Sequence, residues 1–253
     1  ITTAGFRDVL EMRRRDRPTT WGLWGQFTPV IERQSRLEVA ERTLASGEVA
    51  TPVDPDEIRA AAAALLEQGC EAVCLFFING YANGENEARA AEVLRDAWPN
   101  GHVSVATEIL PEIREFERCS TASLNAYLQP VVANYLARLE ERLEGEGAPA
   151  EILIVQSNGG VMSVDTAKAL PVRTALSGPA AGVVAARRIA SAAGFENVIT
   201  GDMGGTSFDV SLVADGQNTL TSQASIDFGM VVRTPMIEMT TIGAGGGSIA
   251  HID

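Results

Sequence analysis

The chain has 253 residues, 45% of them hydrophobic, and a formal net charge of -13 at pH 7. A chain of this size and composition can fill one large core or two modest ones, so we expect a globular protein. Its negative charge repels nucleic-acid backbones and anionic lipid, so neither nucleic acid nor a membrane is an expected partner, and any anionic ligand must be held by local groups.

The first predicted elements are short strands and irregular surface structure over about residues 1–42. This stretch carries a basic cluster at Arg13–Arg17 and a tryptophan patch at Trp21–Trp24. An alternating pattern of helices and strands begins at Asp54, which together with the proline after it is typical of a helix start. This helix is expected to end at Gly69.

A continuous apolar run of strand length, Glu71–Ile78, predicts a central strand that is buried on both faces. Cys70, Cys74 and Cys119 lack the spacing of metal ligands, and the first two are predicted to be inert core thiols. No apolar run approaches the ~20 residues that a membrane span needs. From the expectation of inert thiols we predict a reducing, cytoplasmic setting.

The first half continues with a predicted helix at 85–98, a strand at 102–107 and a long helix at 111–144 that Pro130 should kink or split. The polar linker Gly145–Pro149 follows. We therefore predict an α/β domain over residues 1–145 and a second domain over residues 146–253.

The second half repeats the alternation of strands and helices. A strand is predicted at 151–156, and a helix rich in small residues at Gly178–Ala193. Further strands are predicted at 198–203, 207–213, 219–226 and 231–239.

The strongest chemical motif runs from Asp202 to Asp209, where two acids flank a turn of glycine and hydroxyl residues. Glycines let backbone N–H groups approach phosphate oxygens, hydroxyls can add donors, and two carboxylates can hold a hydrated Mg²⁺. A plain glycine hairpin with surface acids would show the same pattern. We predict that Asp202 and Asp209 are catalytic and hold the metal, and that phosphate binds Gly204, Gly205, Thr206 and Ser207.

Three further motifs each have two interpretations. The glycine-rich loop near the end of the chain is either a flexible linker or part of the nucleotide site. The polar motif Gln156–Gly160 follows a predicted strand end, where α/β sheets bind ligands, but an ordinary Asn-Gly turn would have the same sequence. The motif Ser177–Pro179 either caps a helix only or also forms an anion site at the start of that helix. The candidate nucleotide residues are Gly243, Gly245, Gly246, Gly247 and Ser248, and the candidate substrate residues are Ser157, Asn158, Gly159, Gly160, Ser177 and Gly178.

Several known catalytic motifs do not occur in the sequence. Lys168 is the single lysine and does not follow a glycine loop, which excludes a Walker-type phosphate site. There is also no Gly-x-Ser-x-Gly elbow, no His-Glu-x-x-His zinc motif and no evident Cys–His pair.

The stretch from Asp202 to Asp209 resembles the second phosphate-binding hairpin of the superfamily that contains actin, sugar kinases, acetate kinase and the large heat-shock ATPases. Five further motifs narrow the resemblance to the hydantoinase A and 5-oxoprolinase family, and they occur in that family's order. They are Thr3–Glu11, Asn125–Pro130, Gln156–Gly160, Leu176–Gly182 and Thr241–Ser248.

This resemblance implies a two-domain ribonuclease-H-like fold, here incomplete, in an amidohydrolase that depends on ATP and Mg²⁺. Phosphorylation of the carbonyl oxygen of a cyclic amide, such as a hydantoin or 5-oxoproline, turns that oxygen into a leaving group, so that water can open the ring. Family members typically need a B-type companion subunit or domain. Two alternatives stay open, namely an acetone-carboxylase-type subunit and a non-catalytic module that senses nucleotide or acts as a scaffold.

The sequence also departs from the family pattern. The family's first phosphate loop, Asp-x-Gly-Gly-Thr, does not precede the matched motifs, and the chain stops soon after the Gly243 loop. The later part of the family's sequence is where much of the adenine and ribose pocket is expected. Phe208 stands where a threonine is often found, which we interpret as packing. We expect the 253-residue chain alone to hydrolyse no ATP.

Overall fold

The computed structural model describes residues 1–13, 28–147, 151–227, 229–249 and 251 of this mixed α/β protein. The chain divides into two compact units. The first comprises Ile1–Pro149, Lys168–Val172 and Ala224–Arg233, and the second comprises Ala150–Ala167, Arg173–Gln223 and Thr234–Asp253. The predicted pair of family domains, with its boundary after residue 145, stays a prediction.

Helices and strands alternate along most of the described chain. The helices are α1 (Pro55–Glu67), α2 (Glu85–Ala97), α3 (Ala106–Ile109), α4 (Glu115–Gly145), α5 (Val164–Ala169) and α6 (Ser177–Ala192). The strands are β1 (Thr2–Thr3), β2 (Glu38–Val39), β3 (Arg42–Thr43), β4 (Val49–Thr51), β5 (Val73–Leu75), β6 (Val103–Val105), β7 (Leu153–Val155), β8 (Val161–Ser163), β9 (Val198–Met203), β10 (Phe208–Ala214), β11 (Gln217–Asn218), β12 (Leu220–Thr221), β13 (Ala224–Asp227), β14 (Met230–Val232), β15 (Met236–Ile237) and β16 (Met239–Ile242). None of these described helices combines the length with the apolar composition that a membrane crossing needs.

α1 begins and ends where the sequence predicts. The Asp54 carboxylate accepts a hydrogen bond from the Asp56 N–H at 2.9 Å, and Pro55 occupies the first helical position. Gly69 follows the helix with a φ of +79°, a conformation that residues with a Cβ rarely adopt. These local signals are sufficient to set both ends of the helix.

β5 confirms the prediction of a strand that is buried on both faces. It pairs in parallel with β6, and just beyond it Phe76 forms a parallel bridge to Thr2 of β1. The regular strand is shorter than the predicted Glu71–Ile78 because its partner β6 has only three residues. One face packs in an apolar cluster through Val73, Leu75 and Phe77, and the other face packs in a second cluster through Cys74, Phe76 and Ile78.

The short strands predicted within the first 42 residues are present as β1 and β2, but the first three residues are buried and do not form surface structure. Ile1, Thr2 and Thr3 are at most 8% exposed, because β1 extends the sheet of the first unit. The Ile1 amino group donates to the Cys74 carbonyl at 2.7 Å, and the Phe76 N–H donates to the Ile1 carbonyl at 3.0 Å. The tryptophan patch and most of the predicted basic cluster lie in residues 14–27, outside the described residues.

α4 is continuous over 31 residues with Pro130 inside it, so the proline does not split the helix. The residues from Phe116 to Ala126 are all buried, and this packing stabilises the helix against the one hydrogen bond that proline removes. The strand predicted at 102–107 also ends early. β6 stops at Val105 because the Thr107 N–H is bound to the Glu87 carboxylate at 2.9 Å, in the first turn of α3.

The second unit is built on an antiparallel sheet in which β10 pairs with β9 along one side and with β11 and β16 along the other. β9 and β10 confirm the strands predicted at 198–203 and 207–213 to within one residue. α6 contributes to the apolar cluster of this unit, which contains Ala180, Val183, Val213 and Ile237.

The two later predicted strands, 219–226 and 231–239, are wrong in extent. The first is divided into β12 and β13, and the second into β14, β15 and the start of β16. β13 pairs with β14 in the first unit, whereas β12 pairs with β15 in the second. The chain therefore changes units twice within a stretch that reads as continuous strand.

Candidate phosphate and metal site

The β9–β10 hairpin brings the two predicted catalytic acids together. Asp202 and Asp209 are directly opposite each other in the antiparallel ladder, so their side chains emerge on the same side of the sheet. Thr241 of β16 is opposite Asp209 on its other side, and its Oγ1 donates to Asp209 Oδ1 at 2.6 Å. The predicted geometry, two carboxylates on antiparallel strands facing one side, is confirmed, whereas their catalytic role stays a prediction.

Both carboxylates line a cavity of about 650 Å³ between α6 and β9. Gly182 of α6 also lines this cavity, and a Cβ at this position would make only an ordinary contact, 3.8 Å from Asp202 Oδ2. The close packing predicted for the small residues of this helix stays a prediction. Most other lining residues are apolar, among them Pro179, Val183, Ile189, Phe195, Val198 and Ile199.

The charge of the acid pair favours a bound cation. In the described part of the chain, neither Asp202 nor Asp209 forms an ion pair, and like charges directly opposite each other in a sheet repel. The described residues contain no group of three or more His, Cys, Asp or Glu side chains able to hold a metal. Two carboxylates without further ligands suit Mg²⁺, which keeps several of its waters and is commonly bound through one or two acids.

The turn between β9 and β10 leaves hydrogen-bond donors free. The Gly204 N–H donates to the Ser207 carbonyl at 2.9 Å. Within the described residues, the N–H groups of Gly205, Thr206 and Ser207 have no acceptor, and neither do the hydroxyls of the last two. Successive free amides beside the acid pair can donate hydrogen bonds to the oxygens of a phosphate.

The second predicted glycine motif folds directly onto this turn. The Gly246 N–H donates to the Gly204 carbonyl at 2.9 Å, and the Gly247 N–H donates to the Gly205 carbonyl at 3.1 Å. Ser248 closes the loop, because its Oγ accepts from the Gly245 N–H at 3.0 Å. Two motifs that lie about forty residues apart in the sequence therefore form one backbone cluster.

The predicted substrate residues Ser157, Asn158, Gly159 and Gly160 form the turn of the β7–β8 hairpin. The Ser157 hydroxyl donates to the Arg173 and Ala175 carbonyls, and Asn158 Oδ1 accepts from the Gly160 N–H at 2.8 Å. These side-chain contacts are internal to the unit, and the four residues are not among those that line the acid cavity. Their role in substrate binding stays a prediction.

The start of α6 differs from the prediction at one residue. Ser177 is the first helical residue and not the cap, because Leu176 occupies the cap position with a left-handed φ of 76°. No side chain caps the helix there. Gly178 has open space where a Cβ would lie, and Pro179, the next residue, lines the acid cavity. A substrate role for Ser177 and Gly178 therefore stays a prediction.

Two polar features were missed by sequence reasoning. Thr241 lies 32 positions from Asp209, so only the strand register reveals their contact. In the first unit, Arg118 Nη2 lies 3.1 Å from Glu87 Oε1, and neither side chain is exposed. A signal for this ion pair was present, because Glu87 stands at helical spacing from the buried alanines of α2.

Of the two cysteines predicted to be inert core thiols, Cys74 agrees with the prediction, whereas Cys70 is not fully buried. Burial raises the pKa of the Cys119 thiol to about 12, and it also raises the pKa of Cys74. All three cysteines are free, and Cys70 is partly exposed. A raised thiol pKa disfavours the reactive thiolate, so Cys74 and Cys119 are not candidates for redox chemistry.

Comparison with known proteins identifies the family. The family description Hydantoinase/oxoprolinase matches residues 118–253, and the description Hydantoinase/oxoprolinase N-terminal region matches residues 1–98. The chain therefore belongs to the hydantoinase/oxoprolinase family, as the resemblance of its motifs indicated.

Named relatives include both lactam-opening and carboxylating enzymes. Caprolactamase subunit alpha of Pseudomonas jessenii is 35% identical over 256 residues, which cover 100% of this chain and 37% of the relative. The acetone carboxylase beta subunit of Xanthobacter autotrophicus is 30% identical over 229 residues, which cover 89% of this chain and 32% of the relative. The crystal structure of the ATP-dependent caprolactamase from Pseudomonas jessenii matches with a TM-score of 0.86 and 34% identity, covering 100% of this chain and 37% of that one. The chain thus spans well under half the length of these relatives.

Proposed function

We propose that this chain is part of the ATP-binding subunit of an enzyme that opens a cyclic amide with hydrolysis of ATP. One observation carries the proposal. Asp202 and Asp209 face each other across a hairpin whose turn leaves the amides of Gly205, Thr206 and Ser207 free. The relatives named caprolactamase and acetone carboxylase support an ATP-dependent reaction on a carbonyl compound, and a ribonuclease-H-like fold is part of the proposal.

In this proposal the residues of the second unit bind the triphosphate and its cation. The free amides of the turn hold phosphate oxygens, and Asp202 and Asp209 hold Mg²⁺ through its waters, with Thr241 orienting Asp209. The metal would neutralise charge that develops on the phosphates during transfer. The chain's part of the catalysis is therefore positioning and charge stabilisation, which dominate in phosphoryl transfer.

The proposed reaction has two steps. The carbonyl oxygen of the amide attacks the terminal phosphorus of ATP, so that an O–P bond forms and ADP leaves. In the second step one water adds to the activated carbon and the ring C–N bond breaks, with a proton passing to the leaving nitrogen, and a second water then cleaves the resulting acyl phosphate to release phosphate. The overall products are an open-chain amino acid, ADP and phosphate. The proposed substrate class is a hydantoin, 5-oxoproline or a similar lactam.

A companion subunit of the B type is part of the same proposal, since the relatives compared above are named as single subunits of their enzymes. An ATP-dependent carboxylase is the second candidate function. It is favoured by the relative named acetone carboxylase beta subunit, and it would use the same phosphate site to activate a ketone.

The test is ATP turnover by the full-length protein together with its companion subunit, with hydantoin, 5-oxoproline, caprolactam or acetone as substrate. Asp209→Asn should lower ATP hydrolysis about 100-fold or more, because it removes half of the carboxylate charge at the metal site. Labelled bicarbonate in the acetone reaction separates carboxylation from ring opening.

Asp215→Asn is the matched control for this substitution. Asp215 is exposed, lies just beyond β10 and has a left-handed φ of 51°, which asparagine adopts readily. Its activity should stay close to that of the wild type. Equal loss in both variants, or turnover that Asp209→Asn leaves unchanged, would reject the site assignment.

A further inference from the structure

Residues 245–248 of the glycine loop have their backbone hydrogen-bond donors occupied. Gly246 and Gly247 donate to the carbonyls of the 204–207 turn, Gly245 donates to Ser248 Oγ, and Ser248 donates to the Gly245 carbonyl at 2.9 Å. In the 204–207 turn the donors are free instead, since the amides of residues 205–207 have no acceptor among the described residues. The two glycine motifs therefore differ in what they can offer a phosphate.

We propose that the 243–248 loop is a positioning element, which holds the 204–207 turn in its binding shape and gives no amide of residues 245–248 to the phosphate. This inference rests on the proposed function and deepens it. Among the nine predicted phosphate residues, it assigns binding to Gly205, Thr206 and Ser207 through their free amides, and bracing mainly to Gly245–Ser248.

Steric contact at Gly245 supports the bracing role. A Cβ on Gly245 would lie 2.6 Å from the Gly204 carbonyl oxygen and 2.7 Å from both the Gly205 carbonyl carbon and the Thr206 nitrogen. All three atoms are backbone, so the turn itself would have to move. Gly245 does not have a positive φ, and therefore glycine is required for close approach and not for backbone conformation.

The strand before the loop is attached to the same site. β16 pairs with β10 from Phe208 to Ser211, and within this ladder Thr241 holds the Asp209 carboxylate. The loop therefore leaves a fixed strand and is anchored to the turn by two backbone hydrogen bonds. This attachment pre-orders the free amides before any ligand arrives, which lowers the ordering cost of binding.

A pair of alanine substitutions tests the proposal in the full-length protein with its companion subunit. Gly245→Ala should lower kcat/KM for Mg·ATP about 10- to 100-fold, because displaced turn amides no longer match the phosphate oxygens. Gly246→Ala is the matched control, since its Cβ would lie 3.7 Å from the Gly204 carbonyl oxygen, an ordinary contact. Its kcat/KM should change less than about threefold. If the loop donated amides to phosphate, a methyl group at residue 246 would block the ligand, and equal losses in the two variants would overturn the proposal.

Hydrogen exchange of the wild-type protein gives a test that does not depend on how the variants fold. Without nucleotide, the amides of Gly246 and Gly247 should exchange more slowly than those of Gly205, Thr206 and Ser207, because only the first pair is hydrogen-bonded. Adding Mg·ATP should slow the turn amides and leave the loop amides unchanged. Loop amides that exchange freely at first and slow only with Mg·ATP would overturn the proposal. If Mg·ATP slows neither set, the proposed function fails, while slow exchange at Gly246 and Gly247 still supports the brace.

Discussion

Glu87 and Arg118 form an ion pair in which both charges are removed from water. Removal from water costs several kcal/mol per ion, which is recovered only when hydrogen bonds and the opposite charge are well placed. Glu87 meets this condition, since it also accepts from the Phe77 N–H at 2.7 Å and the Thr107 N–H at 2.9 Å. Arg118 meets it in part, because Nε has no partner in the described residues, although its guanidinium lies 5.1 Å from the centre of the Phe76 ring.

Because Arg118 is only partly hydrogen-bonded apart from its contact with Glu87, neutralising Glu87 should strongly lower the stability of the fold. Glu87→Gln should lower the free energy of unfolding by about 3–5 kcal/mol, because it leaves the Arg118 charge buried and unpaired. Urea unfolding of the purified protein measures the change. Glu108→Gln is the control, since the Arg95–Glu108 pair has a similar distance of 2.7 Å but side chains that are 48% and 52% exposed. The control should lose less than about 1 kcal/mol, and equal losses would show that burial is not the cause.

At the scale of single residues, local spacing was enough to predict the acid pair but not its support. Asp202 and Asp209 could be predicted because a short turn between two strands must place its flanking residues side by side. Thr241 could not, because its position beside Asp209 depends on the register of a strand that follows after five other strands. The spacing of Glu87 on α2 indicates that this acid is buried, but no local pattern specifies Arg118 of α4 as its partner.

Among the elements, those with strong local signals were predicted and those that depend on tertiary packing were not. The cap at Asp54 and the glycine after α1 set that helix, and the apolar run around β5 set its burial. By contrast, the continuity of α4 through Pro130 depends on the packing of its first half. The short strands between residues 219 and 239 depend on which unit each one joins.

α4 therefore contains a proline that lowers its stability without ending it. Pro130→Ala should raise the free energy of unfolding by about 1–3 kcal/mol, because alanine restores a backbone donor and relieves the clash of the proline ring with the preceding turn. Thermal unfolding followed by circular dichroism measures the change. Val131→Ala, at the adjacent exposed position, should stay within about 0.5 kcal/mol of the wild type. A destabilised Pro130→Ala variant would mean that the helix around residue 130 requires the proline.

For the whole molecule, the formal net charge is -13, and three acids of the first unit, Glu41, Glu87 and Glu117, are buried. Glu41 is 3% exposed, accepts from the Thr3 hydroxyl and also accepts from Asn86 Nδ2 at 2.8 Å. Burial raises the pKa of Glu41 above its ordinary value of 4.5, and these two hydrogen bonds oppose the shift only in part. Glu41 therefore links the stability of the first unit to pH.

The direction of this linkage follows from proton counting. Between the ordinary pKa of Glu41 and its raised value in the folded state, the folded protein holds a proton that the unfolded chain has released. Stability must therefore fall as pH rises through this window, by at most ~1.4 kcal/mol per pH unit for one group. Glu41→Gln keeps the shape and can still accept from Asn86, but it cannot titrate, so its stability should fall less steeply as pH rises above 4.5. Urea unfolding at several pH values gives both slopes, and Glu48→Gln, at an exposed position, should match the wild-type slope. A wild-type slope no steeper than that of Glu41→Gln would show that Glu41 does not carry the linkage.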